Sequence, residues 1–165
     1  QFTMPLKRHP SLQPYSREHH HELLLVWKIR EGVRKNVEVI RIADYCLYYY
    51  LNFLLAHFED EEKNILSRLP QDNEDVICIL REHVLMKNMI RQISAHASNS
   101  YHLLLAFADL LEKHTRFEER TFFKTLQESL PEDVLNSIEA DETEMNFTEA
   151  WRDEFWEQEL PGTTL

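Results

Sequence analysis

Residues 57–62 read HFEDEE and residues 114–119 read HTRFEE, so each block sets a histidine four residues ahead of a glutamate. In a chain this rich in His and Glu, two such pairs barely exceed chance. Their meaning depends on the helix face that carries them. At about 100° per residue, His57 and Glu61 lie about 40° apart on one face, and Ala43, Leu47, Tyr50, Leu54, Phe58 and Ile65 share that face. His114 and Glu118 sit likewise on a stripe with Leu103, Phe107, Leu110, Leu111 and Phe122. A carboxylate buried without a partner costs several kcal/mol. Two glutamates on apolar stripes therefore need cations or hydrogen-bond donors.

Outward from these blocks, apolar residues at helical spacing define four segments. The first runs from a Ser16 cap to about Lys35 with Val26, Ile29 and Val33 on its stripe, and the second from about Val37 to Leu66. LPQDN (69–73) separates them from a third, from Val76 to about Ala95, with Ile79, His83, Met86, Ile90 and Ile93 on one face. Polar SAHASNS (94–100) interrupts before the fourth, which ends near ESLPED (128–133). Four such segments joined by short polar links bury their stripes together as an up-down antiparallel four-helix bundle. The expected fold is thus all-α: an N-terminal extension over 1–15, a bundle over 16–128, and an acidic C-terminal helix and tail over 129–165. Trp151, Phe155 and Trp156 have helical spacing and are expected to dock that tail on the bundle.

Composition supports one domain. The chain has 165 residues, 43% of them hydrophobic, enough for one sizeable core, and only two glycines to interrupt helices. Eighteen basic against 29 acidic residues give a net charge of -11, which disfavours nucleic acid and anionic membranes as partners and favours a cation. Cys46 and Cys78 share no short metal or redox spacing and read as inert core thiols in a cytoplasmic protein. No apolar run approaches the ~20 residues that span a bilayer, and the N-terminal stretch does not read as a signal peptide.

SREH ends at His19 and LREH ends at His83, so each His-x-x-x-Glu segment follows one bearing a core-facing histidine. Aligning the two matches Val26 with Ile90 and Ile29 with Ile93. A bundle then brings four histidines and two glutamates to one level of the core. Nitrogen and carboxylate ligands without thiolates suit iron, manganese or zinc, and six side chains exceed what one tetrahedral zinc requires. Two bridged metals are the economical answer; a metal-free core of hydrogen-bonded histidines is the alternative. Within HHH (19–21), His19 lies about 50° from the centre of its stripe and His20 about 150° away. His19 is preferred, with His20 kept as the alternate. Glu22, one turn after His19, reads equally as a ligand or as a surface glutamate at the bundle edge. Glu62 and Glu119 are rotated about 100° beyond their neighbours, towards rim or solvent, and their loss is expected to leave metal binding nearly unchanged. Tyr50 invites a role behind the ligands, though core packing is the commoner use of such a tyrosine. His9, His96 and His102 are expected to face solvent.

The stretches SREHHHELLLVWKIR (16–30), HFEDEE, REHVLMKNMI (81–90) and HTRFEER (114–120) together resemble the hemerythrin-like, or HHE cation-binding, family over about residues 16 to 125. The resemblance implies a non-haem di-iron centre, two Fe per chain. His57 and His114 would be terminal nitrogen ligands, Glu61 and Glu118 would bridge the irons, and His83 with one residue of the HHH run would complete the set. Oxygen-carrying members have His-x-x-x-His on the third helix, whereas Lys87 follows His83 here. The implied function is therefore binding or sensing of O2, NO or redox state rather than simple oxygen carriage. The alternative is a di-iron enzyme or iron-handling protein that removes peroxide, oxidises ferrous iron, or stores or delivers iron.

Overall fold

The computed structural model describes residues 7–95, 100–141 and 147–162. Helix α1 (Gln13–Arg34) begins three residues before Ser16, because Pro14 falls in its first turn, where proline is preorganised and no N–H is needed. The second segment is one long rod: α2 (Val39–Tyr49), a π turn over Tyr50–Leu54, α3 (Leu55–Asp60), a second π turn over Glu61–Ile65, and a closing 3-10 turn. Asn73 caps α4 (Glu74–Ser94), its side-chain oxygen accepting from the N–H groups of Asp75 and Val76. Helix α5 (His102–Phe117) continues through a third π turn, Glu118–Phe122, into α6 (Phe123–Ser129). Pro131 then introduces the short α7 (Glu132–Asn136). The described residues contain no strand, and none of their helices is long and apolar enough to cross a membrane.

Helix α1 packs on α2 and α5, and α4 packs on the same two, so the four long segments close a ring. Their stripes form two apolar clusters. One includes Leu25, Ile29, Ile42, Leu54, Phe58, Met86, Ile90, Phe107 and Leu111. The other includes Leu12, Tyr15, Ile65, Val76, Ile79, Phe122, Phe123 and Leu126. On every segment the changeover between clusters falls at a polar core residue: His19 and Glu22 in α1, His57 and Glu61 in the second rod, His83 in α4, and His114 and Glu118 in the last. The core is thus two apolar blocks with a polar layer between them.

Two of the π turns begin at the same point of the internal repeat. The N–H of Leu66 donates to the carbonyl of Glu61, and that of Phe123 donates to the carbonyl of Glu118, each spanning five residues rather than four. Cys78 is exposed, not a core thiol. It sits one residue before Ile79, about 100° off the α4 stripe.

Beyond α7 the aromatic part of the tail docks, though not as an α-helix. Residues 147–154 have no regular structure, and only Phe155–Glu157 turns, as a 3-10 helix. Phe155 is fully buried and packs on Tyr45, Trp151 lies 4.9 Å from Tyr48 between ring centres, and Trp156 lies 5.2 Å from Tyr45. The buried ammonium of Lys28 sits 3.9 Å from the centre of the Trp156 ring and donates to Tyr45 and Glu149. Gly32 permits this approach, since a Cβ there would lie 2.8 Å from Phe155 Cε2 and 2.9 Å from Ile42 Cδ1. Phe155→Ala is expected to destabilise the protein by ~3–5 kcal/mol. Gly32→Ala gains up to ~1 kcal/mol of helix propensity but loses ~1–3 kcal/mol to overpacking, a net loss. Denaturant midpoints check both; a Gly32→Ala protein more stable than the parent would refute the docking.

Candidate metal centre

The structure brings His19, His57, His83, His114, Glu61 and Glu118 together, none more than 4% exposed. The ligand atoms of His19, His57, Glu61 and Glu118 all lie within 4.8 Å of one another, as do those of Glu61, His83, His114 and Glu118. The two glutamates belong to both groups. Glu61 Oε1 lies 3.3 Å from His19 Nε2 and 3.0 Å from His57 Nε2, while its Oε2 lies 3.4 Å from His83 Nε2. Glu118 Oε2 lies 2.8 Å from His19 Nε2, and its Oε1 lies 3.3 Å from His114 Nε2. Each carboxylate therefore turns one oxygen to each histidine pair.

All four imidazoles point Nε2 inward, and a carboxylate stands behind each Nδ1. His57 Nδ1 donates to Glu18 at 2.5 Å, His19 Nδ1 to Glu119 at 2.7 Å, and His83 Nδ1 to Glu62 at 2.8 Å. Glu82 faces His114 Nδ1 at 3.8 Å, beyond hydrogen-bond reach. The repeat explains the pattern. Glu18 and Glu82 precede His19 and His83 in the two REH triplets and face the histidine of the next segment, Glu18 alone within bonding reach; Glu62 and Glu119 end the two EE doublets and bond His83 and His19. An outer carboxylate of this kind fixes the ring's tautomer and raises the basicity of its inner nitrogen.

Burial sets the electrostatics. It opposes protonation of His19, but the close carboxylates of Glu118, Glu119 and Glu61 outweigh it and hold that imidazole well above its usual range. His57 is held high against the same burial by Glu61, Glu22 and Glu18, and His83 is raised to about 9 by Glu61 and Glu62. His114 is lowered, by burial and by the facing His83, against the opposing pull of Glu118. Burial also opposes the charge of Glu61, yet His57, His19 and His83 hold it well below the carboxylate range. Glu118 is pushed up by burial and by the charge of Glu61. Two carboxylates facing one another in this way ionise together only when positive charge lies between them.

A family model for the hemerythrin HHE cation-binding domain matches residues 14–126. The chain belongs to this family. No curated protein and no solved structure gives a significant match. The donor set of this HHE domain fits a cation. Among the described residues, Nε2 of His57, His83 and His114, Oε2 of Glu61 and Glu118, and Oε1 of Glu22 are buried without a hydrogen-bond partner. Buried polar groups are normally satisfied; six orphans converging on one level mark a place for metal.

Other sequence readings fall differently. His20 is exposed on the far side of α1, opposite the inward His19. Glu22 is not a surface glutamate: it is fully buried. Glu62 and Glu119 stand at the rim as expected, but each engages a histidine of the centre, so they are not bystanders. Tyr50 is buried, yet its charged neighbours are Arg91, Glu59 and Glu62, whereas Tyr49 is the tyrosine near Glu22, His57 and Glu18. The π turn starting at Tyr50 adds a residue to the two turns before His57 and shifts the phase by one. His102 is exposed, His9 is partly buried and bonds Ser11 and Glu132, and His96 lies outside the described residues. Glu119→Ala and Glu62→Ala are each expected to weaken metal binding by about 10–100-fold, as a chelator competition would read; unchanged affinity in both would remove the outer carboxylates from the account.

Proposed function

We propose that this HHE domain, an up-down antiparallel four-helix bundle over residues 16–128, holds a non-haem di-iron centre, two Fe per chain. His19 and His57 would hold one ion, His83 and His114 the other, and Glu61 and Glu118 would bridge them. The observation that carries this reading is that both buried glutamates divide their oxygens between the two histidine pairs. Imidazole and carboxylate donors without thiolate suit iron.

The centre binds or senses a small diatomic molecule, O2 or NO, or responds to redox state. Iron in such a site supplies electrons to a small ligand. The chain's own residues do the rest: the two apolar blocks keep water from the polar layer, the outer carboxylates hold each imidazole in register, and the bridging glutamates balance positive charge. Lys87, in place of a second histidine on α4, withdraws the donor that oxygen carriers have there, which favours sensing over carriage. The two free cysteines suit a reducing cytoplasm.

Metal analysis of protein produced with iron available should find about two irons per chain, and the optical spectrum of anaerobically reduced protein should change on adding O2 or NO. One tightly bound zinc with no iron would contradict the reading. Glu61→Ala and Glu118→Ala should each leave fewer than two metals bound. Metal-free protein should melt lower, because metal binds only the folded arrangement; equal melting temperatures with and without saturating metal would mean that these side chains are not a site.

A further inference from the structure

The two halves of the centre differ at one position, and the difference is chemical. Three residues after His19 stands Glu22, fully buried in α1. Three residues after His83, at the equivalent point of α4, stands Met86, also fully buried. Glu22 Oε1 lies 2.9 Å from His57 Nε2 but out of line for a hydrogen bond with it, while its Oε2 accepts from the Thr115 hydroxyl at 2.6 Å. Thr115 is itself fully buried and follows His114 in the chain. Its counterpart, following His57, is Phe58, whose ring stacks on His83 at 4.1 Å. One half thus has a carboxylate aimed by a hydroxyl; the other has a thioether and an aromatic ring.

Resting on the di-metal reading, we propose that Glu22 is a seventh side-chain ligand reserved to the His19/His57 position, and that it makes the two metal positions unequal. Three features carry this. A buried carboxylate oxygen with no aligned donor is costly to retain unless a cation takes it. Thr115 occupies the other oxygen and so fixes which one faces His57. Met86 cannot replace it, because thioether sulfur suits soft metals and carboxylate suits harder ones. The His19/His57 position then has two imidazoles, two shared carboxylates and a private one. The His83/His114 position has two imidazoles and the shared carboxylates alone, beside Phe58. The first position fills first and empties last; the second is where an exogenous small ligand coordinates.

Calorimetric titration of the metal-free full chain with Mn(II), a probe that needs no anaerobic handling, tests this. The parent should show two binding events per chain whose affinities differ by at least about 10–100-fold, the range that even outer partners command. Glu22→Gln keeps the shape and the Thr115 contact but removes the charge; it should weaken the tighter event by at least that range and bring the two events together. Thr115→Val, which leaves the carboxylate in place but unaimed, should weaken the same event by less, and it serves should Glu22→Gln not fold. Two equal events in the parent, or a tighter event unmoved by both substitutions, would overturn the inference and leave the di-metal reading standing. A parent that binds neither Mn(II) nor iron would overturn the di-metal reading itself.

Discussion

Glu61 and Glu118 face one another across a core from which water is excluded, 2% and 1% exposed. Two such charges repel, and burial penalises each. Everything else in the polar layer answers that constraint. Four imidazoles turn a nitrogen inward, and four further glutamates stand behind them. The apolar core is divided into two blocks so that this layer has a level to itself. The buried carboxylates lack enough protein donors to satisfy them, so the layer is suited to take up positive charge.

The outline of this arrangement was legible in the chain. Helical spacing placed the four stripes, and the REH triplets and His-x-x-x-Glu blocks marked the six inner residues. What escaped lies across helices rather than along them. Glu18 serves His57 and Glu119 serves His19, pairings between segments that no phase calculation on a single helix contains, although the EE doublets and the glutamate of each REH triplet were visible. Glu22 was undecidable for the same reason, since its partner Thr115 lies on another helix. Uniform 100° arithmetic failed where the helix widens, exchanging Tyr50 for Tyr49. The tail aromatics have helical spacing, yet beyond α7 they thread their rings over Tyr45 and Tyr48 without an α-helix, because ring burial there needs contact and not periodicity.

Functionally, the near-symmetry of the halves explains how a di-metal centre would be built, and its breach explains how it would act. The shared glutamates and the four histidines repeat; Glu22 with Thr115 and Met86 with Phe58 do not. Symmetric parts would hold a pair of ions and the asymmetric parts would distinguish them. Tail residues Phe155 and Trp156 clamp the α1 and α2 side of the first apolar block, the side that also carries Glu22.

X-ray absorption at the iron edge of the iron-loaded protein tests the central claim most directly, because it sees the neighbours of each iron rather than the total content. The account predicts a first shell of nitrogen and oxygen without sulfur, and a second iron at about 3.5–4 Å, the separation of bridged two-metal sites. A nitrogen and oxygen shell with no iron neighbour, at full occupancy, would contradict it.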